Sequence, residues 1–319
     1  MSTVFLGTSE FAAAILERLT RTDAHRPTLV VTRPDRPSGR GRRLSPPPVA
    51  ESARALAIPV VQPESVNDAH ARQLIAQAGD GDGQDARQTV IVCAFGALIK
   101  EPLLSEHDIL NVHPSLLPRW RGAAPIERAI MAGDAQTGVS IMRLTVGLDS
   151  GPVCLAAAES IAPEDTYGSL AGRLQELGGE LLVRALEDRP AFVEQPDDGA
   201  TYAEKIGAAD RLLDPHRPAV ELERVVRALQ PHIGARAELP DGTLLGVHRA
   251  ALLDGAGSVA GEDAGGGSAA DGLGVTVDDG RLVLVCDSGV LELLVVQPPG
   301  GRPMDAASYV RGRSAPGRR

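Results

Sequence analysis

The sequence predicts an α/β protein: a mostly parallel sheet with helices on both faces, followed by a smaller β-barrel domain. Three observations carry that expectation. Apolar strand-length segments alternate with helical patterns through the first 190 residues, the mark of parallel strands joined by crossover helices. After residue 230 the chain changes to short strands bounded by turn signals, at the spacing of a small antiparallel barrel. Between the two lies a surface stretch holding Arg189-Pro190 and Gln195-Pro196-Asp197-Asp198-Gly199. The expected division is a first domain over 1–189, a linker over 190–207 and a second domain over 208–319.

The elements follow in order. Residues 3–6 (TVFL) read as a buried strand, and Gly7-Thr8-Ser9 turns into a helix that Ser9 caps. Phe11, Ile15 and Leu19 recur at four-residue spacing on one helical face. Residues 28–32 return as a second strand, so the chain opens β-α-β. Helical patterns at 49–57 and 68–78 enclose a third strand at 58–61, and 89–94 (TVIVCA) reads as a central strand. Strands follow at 109–113, 138–146 and 153–158. Residues 166–189 form a long amphipathic helix with Leu170, Leu174, Leu177 and Leu181 on one stripe. In the second domain a helix at 219–229 precedes strands at 235–239, 244–253, 274–277, 281–285 and 290–296. Asp241-Gly242 and Asp279-Gly280 suit tight hairpins. Residues 254–272 are Gly- and Ala-rich and of low complexity.

Composition bounds the function. In 319 residues the hydrophobic fraction is 43% and the charged fraction 23%, ordinary for a globular chain. No run reaches the roughly 18 apolar residues of a membrane-spanning helix. The first residues lack a secretory pattern, so the expected location is cytoplasmic, with no membrane partner. Cys93, Cys154 and Cys286 are odd in number and widely spaced, which excludes a disulfide framework, and the seven histidines do not cluster at ligand spacings, so no metal is expected. A net charge of −10 makes the bulk surface repel nucleic acid. Two basic islands stand against it. Residues 33–43 (RPDRPSGRGRR) and 302–319 each hold five arginines and one aspartate.

The chemistry points to residues 111–125. On an extended strand Asn111 and His113 share one face, and the strand ends at Pro114, where open α/β sheets place their ligands. Asp149, in the glycine-rich turn Gly147-Leu148-Asp149-Ser150-Gly151, is the carboxylate that could hold the imidazole. Asn, His and Asp make a proton-shuttle and oxyanion set without a strong side-chain nucleophile, which favours direct transfer over a covalent intermediate. The opening Gly7-Thr8-Ser9 lacks the GxGxxG spacing of a dinucleotide site.

Those residues sit in SLLPRWRGAAPI (115–126), flanked by Asn111-x-His113 and Gly147-Leu148-Asp149-Ser150-Gly151. With FLGTSEFA (5–12), PDRPSGRGRRL (34–44), CAFGALI (93–99) and TYAEKI (201–206), they resemble the tetrahydrofolate-dependent formyltransferases. The resemblance implies a Rossmann-like catalytic domain and an OB-like C-terminal domain that binds tRNA. It implies 10-formyltetrahydrofolate as co-substrate and the α-amine of methionyl initiator tRNA as acceptor, the chain acting as a monomer in translation initiation. The catalytic trio falls on Asn111, His113 and Asp149. The folate site falls on Ser115, Leu116, Leu117 and Pro118, near Phe95, Gly96, Ala97 and Leu98. The basic loop, with Arg36, Arg40, Arg42 and Arg43, falls where the family inserts against the acceptor stem. Many relatives carry Trp-Pro after the C-terminal helix, where this chain has Gln230-Pro231. The alternative is a folate-dependent formyltransferase acting on a small amine, which would share the trio and the folate site.

Overall fold

β1 (Thr3–Gly7) is buried along its whole length, as a strand covered on both faces must be. Ser9 caps α1 (Glu10–Leu19) by accepting the Ala12 N–H, and Glu10 complements the helix dipole in the first turn. The apolar face expected from the spacing is the buried one: Phe11, Ile15 and Leu19 are all interior. β2 (Leu29–Val31) follows. The basic segment, which reads as a loop, is instead paired into a ribbon of β3 (Arg36–Ser38) and β4 (Arg43–Ser45), with Arg36 opposite Ser45. Pro34 and Pro37 favour the extended backbone such a ribbon needs. Next come α2 (Pro48–Ala55), begun by a proline in its first turn, β5 (Val60–Val61) and α3 (Ala69–Gln77), capped by Asp68. β6 (Thr89–Cys93), the short α4 (Leu103–Glu106) and β7 (Asp108–His113) build the centre. Beyond it lie β8 (Arg121–Gly122), α5 (Pro125–Ala132), β9 (Gln136–Arg143), β10 (Val153–Ser160), α6 (Tyr167–Asp188) and β11 (Tyr202–Ala203).

This computed structural model describes residues 2–21, 23–38, 43–79, 88–253 and 272–314. The chain forms two units, one of residues 1–125, 136–160 and 171–204, the other of 126–135, 161–170 and 205–319. In the first, seven strands pair in the order β10-β9-β7-β6-β1-β2-β5. β5, β2, β1, β6 and β7 are mutually parallel, while β9 runs antiparallel to both β7 and β10. Val4, Leu6, Val31, Val90 and Val92 pack with Ile75 of α3 in one apolar cluster. The neighbouring residues Phe5, Val30 and Ile91 are equally buried, as the two-residue period requires of a sheet covered on both faces.

The second unit holds α7 (Ala219–Ala228), β12 (Ala235–Glu238), β13 (Leu244–Leu252), β14 (Gly274–Asp278), β15 (Arg281–Val285), β16 (Val290–Gln297), β17 (Met304–Asp305) and α8 (Ala306–Ser314). Its strands order as β12-β13-β16-β15-β14, with β17 on β16, and the edge strands β12 and β14 approach each other as the sheet curls. β14 and β15 are joined by Asp279-Gly280, both at positive φ (44° and 74°), the mirror-image turn that matches strand twist. Residues 126–135, which the sequence assigns to the first domain, are tied here by Glu127 to His232 (2.9 Å) and Arg128 to Asp210 (2.8 Å). The Arg128 hydrogen bond holds the Asp210 carboxyl below its usual range. α8, inside the arginine-rich tail, sends Tyr309 and Val310 against the apolar core of this unit.

Candidate active site

β2, β6 and β7 are parallel, so the segments that follow them leave the same edge of the sheet: the ribbon, residues 94–102 and residues 114–120. That edge is where open α/β sheets bind ligands. β7 brings Asn111 and His113 to it, 8% and 4% exposed.

His113 Nε2 lies 2.8 Å from the Trp120 carbonyl oxygen. A carbonyl only accepts, so Nε2 carries the hydrogen and donates it. Nδ1 is left for chemistry, and Asp149 Oδ2 stands 3.7 Å from it. The same oxygen accepts the Gly122 N–H at 2.8 Å, and Asp149 Oδ1 accepts from Asn111 Nδ2 at 3.4 Å. The structure therefore brings the three sequence-predicted residues together around one carboxylate. Asp149 arrives by a longer route than the sequence implies: β9 ends at Arg143, and residues 144–152 return the chain to β7.

Two of the residues that set this geometry hold left-handed backbone, Trp120 (φ 62°) and Asp149 (φ 44°). Such conformations cost about 1–3 kcal/mol each and persist where surroundings impose them. Gln195 imposes one. Its side-chain amide donates to the carbonyls of Asp149 (2.8 Å) and Gly151 (2.7 Å), while its Oε1 accepts from Arg121 at 3.0 and 2.7 Å. Residues 201–203 impose the other. Trp120 N donates to Thr201 Oγ1 (2.9 Å), and β11 pairs in parallel with β8. At Gly122, with φ 119°, an added Cβ would lie 2.7 Å from the Ala203 carbonyl oxygen, so this crossing needs glycine. Sequence reasoning missed Gln195 and treated residues 201–206 as linker. A loop glutamine before a proline carries no periodic signal, whereas the TYAEKI resemblance was the available pointer.

The expected folate residues divide into supports and surface. Ser115 is fully buried, and its hydroxyl donates to the Arg119 carbonyl at 2.7 Å. Ser140 Oγ donates to the Ser115 carbonyl (2.7 Å) and accepts the Leu117 N–H (3.2 Å). Leu116, Leu117 and Pro118 are half-buried. Phe95 is buried, whereas Gly96, Ala97 and Leu98 are exposed. Three side chains fix that loop: Thr8 on the Phe95 carbonyl (2.7 Å), Arg33 on the Gly96 carbonyl, and Asn67. Asn67 donates to the Leu98 carbonyl and accepts the Lys100 N–H, both at 2.8 Å. Leu98, Val146 and Leu148 are exposed apolar side chains on loops 94–102 and 144–152. The Cys93 thiol, ending β6, is pushed far above the usual thiol range by burial, so it is no nucleophile. Arg36 and Arg43 are exposed on the ribbon, whereas Arg40 and Arg42 lie outside the described residues. Among the described residues no group of three His, Cys, Asp or Glu could hold a metal ion, and no helix is long and apolar enough to cross a membrane.

Comparisons with known proteins place the chain in a family. The profile described as formyl transferase matches residues 1–186, and that of the formyl transferase C-terminal domain matches residues 205–314. A methionyl-tRNA formyltransferase of Halorhodospira halophila is 41% identical, over 97% of this chain and 96% of its own. Two solved structures share the fold. HypX from Aquifex aeolicus in complex with tetrahydrofolic acid has a TM-score of 0.60 at 17% identity, covering 97% of this chain and 47% of that one. Methionyl-tRNA formyltransferase from Clostridium thermocellum has a TM-score of 0.58 at 13% identity, covering 80% and 95%. With both family profiles matched and a relative aligned over nearly its whole length, the chain belongs to the formyltransferase family, and within it to the methionyl-tRNA formyltransferases.

Proposed function

We propose that this chain moves the formyl group of 10-formyltetrahydrofolate onto the α-amine of methionyl initiator tRNA, by direct attack through a tetrahedral intermediate, and so prepares that tRNA for initiation of protein synthesis. The observation that carries the reading is the convergence of Asn111, His113 and Asp149 at the end of β7. The amine nitrogen bonds to the formyl carbon, whose oxygen becomes an oxyanion. Asn111 Nδ2 and a protonated His113 Nδ1 are the donors for that oxygen, and losing one such donor costs about 10²–10³ in turnover. The Asp149 carboxylate stabilises positive charge arising on the imidazole and takes or relays the proton leaving the amine. N10 receives a proton as its bond to the formyl carbon breaks, so one proton passes from amine to N10 overall.

In this reading Leu116, Leu117 and Pro118 face the folate across from Gly96, Ala97 and Leu98, with Ser115 and Phe95 as buried supports. Arg36, Arg40, Arg42 and Arg43 hold acceptor-stem phosphates, and the domain over 208–319 adds tRNA contacts. The enzyme works as a monomer in the cytoplasm. His113→Ala abolishes transfer and leaves tRNA binding intact; loss of both together would contradict the assignment. Arg42→Ala weakens use of the tRNA far more than use of the folate and flattens the salt dependence of binding by about one unit of slope. Equal loss of both would remove the ribbon from tRNA recognition.

A further inference from the structure

β6, β1 and β2 lie side by side and parallel, and β5 pairs with β2 on its far side. The residues that follow β2, β5 and β6 therefore leave one edge of the sheet together. They are 32–35, which lead into the ribbon, Gln62, and the loop 94–102. Gln62 holds the base of the ribbon at two points. Its side-chain amide donates to the Arg33 carbonyl at 2.9 Å and to Asp35 Oδ1 at 2.7 Å, and its own Oε1 accepts from Arg54 at 2.9 Å. The one carboxylate among residues 33–43 is thus tied back to the sheet, and the ribbon keeps its arginines.

Arg33 makes a second connection. β1 lies between β2 and β6, so the Arg33 side chain crosses two strand spacings, about 10 Å, to donate to the Gly96 carbonyl. Gly96 holds left-handed backbone (φ 71°), and among the described residues a Cβ built there would meet only Arg33, at 3.8 Å. Thr8 and Asn67, the other two side chains that fix this loop, stand at the end of β1 and ahead of α3. Of the three, Arg33 alone belongs to the stretch of chain that becomes the ribbon.

We infer that Arg33 is a positioning residue through which the two substrates bind cooperatively; the inference rests on the reading above, in which Gly96, Ala97 and Leu98 face the folate and the ribbon meets tRNA. Folate packed on the exposed Leu98 fixes the loop, and with it the Gly96 carbonyl. The fixed carbonyl holds Arg33 and so the base of the ribbon. The tRNA then meets a ribbon already partly ordered, which lowers the cost of binding it. Coupling of this kind is reciprocal, so each ligand tightens the other by one factor.

The test measures binding of methionyl initiator tRNA to the full chain at one salt concentration, with and without saturating tetrahydrofolate, which has no formyl group to transfer. Tetrahydrofolate tightens tRNA binding about tenfold, and the tRNA tightens tetrahydrofolate by the same factor. Arg33→Met binds each ligand and loses the coupling, whereas Arg33→Lys, which keeps a long donor, retains part of it. Asn67→Ala loosens the same loop at a point away from the ribbon, so it weakens tetrahydrofolate and keeps the coupling. Gln62→Leu releases the ribbon base and loses the coupling, and it breaks the same connection from the other end should Arg33→Met fail to fold. Independent binding of the two ligands by the parent, coupling that survives both Arg33→Met and Gln62→Leu, or an equal loss in Asn67→Ala would each overturn this inference alone. Absence of tRNA binding by a parent that binds tetrahydrofolate would overturn the proposed acceptor, and the inference with it.

Discussion

The two ends of β7 carry histidines of nearly equal burial and opposite circumstance. His113, 4% exposed, gives Nε2–H to a carbonyl and turns Nδ1 to a carboxylate. His107, 7% exposed, has both ring nitrogens buried with no hydrogen-bond partner among the described residues, beside a cavity. Burial alone therefore says little about what an imidazole does. At the carboxyl end, Trp120, Asp149, Gln195 and Thr201 cooperate to orient one ring; at the amino end no hydrogen bond from the described residues orients the other. The contrast predicts that substitutions around His113 change catalysis, whereas substitution of His107 changes stability and its pH dependence.

The largest effect belongs to Asp149→Asn. Asparagine tolerates the left-handed backbone but accepts through one oxygen only, so it loses the charge beside Nδ1 and one of the two hydrogen bonds taken from Gly122 and Asn111, and single-turnover transfer falls about 10²–10⁴-fold. A tenfold loss or less would make the carboxylate a mere turn former. Gln195→Leu comes next. It frees the 144–152 loop from Arg121, and misplacing Asp149 lowers kcat by about ten- to a hundredfold. The Michaelis constant for the folate changes little, and Gln195→Glu, which cannot donate to the two carbonyls, does not rescue. A variant with lower melting temperature and normal kcat would make Gln195 structural only. Thr201→Val leaves the Trp120 N–H without its acceptor, at about 1 kcal/mol of unfolding free energy, and slows transfer several-fold by loosening the carbonyl that holds His113. Unchanged kinetics would detach β11 from the site.

The smallest effect is at His107. His107→Leu leaves kcat unchanged, and at pH 7 the protein is as stable as the parent or more so by about 1 kcal/mol, since an unpartnered polar ring is replaced by an apolar one. Its signature is in the pH dependence. The unfolded ring takes a proton below its ordinary value of 6.5, and the folded ring, held lower by burial, resists it. The parent therefore loses stability as pH falls through that region, and the variant loses less. Parallel stability curves for the two would show that the folded ring titrates normally.

Much of this was legible in the sequence where periodicity speaks. The alternation along 108–113 put Asn111 and His113 on one face, and the spacing of Phe11, Ile15 and Leu19 marked the buried side of α1. Asp279-Gly280 announced its hairpin through backbone freedom alone. What stayed hidden depends on long-range pairing. β3 and β4 pair across a segment whose arginines and prolines read as loop, and β8 pairs with β11 across some 80 residues. Gln195 acts through four hydrogen bonds made by a side chain with no neighbours in sequence to flag it. The burial of both His107 ring nitrogens without a partner among the described residues likewise exists only in the folded chain.

The most direct test of the account is formyl transfer from 10-formyltetrahydrofolate to methionyl initiator tRNA, run beside methionyl elongator tRNA with the parent chain. The account predicts efficient transfer to the initiator and little to the elongator. Equal transfer to both would contradict the reading of the initiator, and transfer to neither, with folate still bound, would contradict the assigned acceptor altogether.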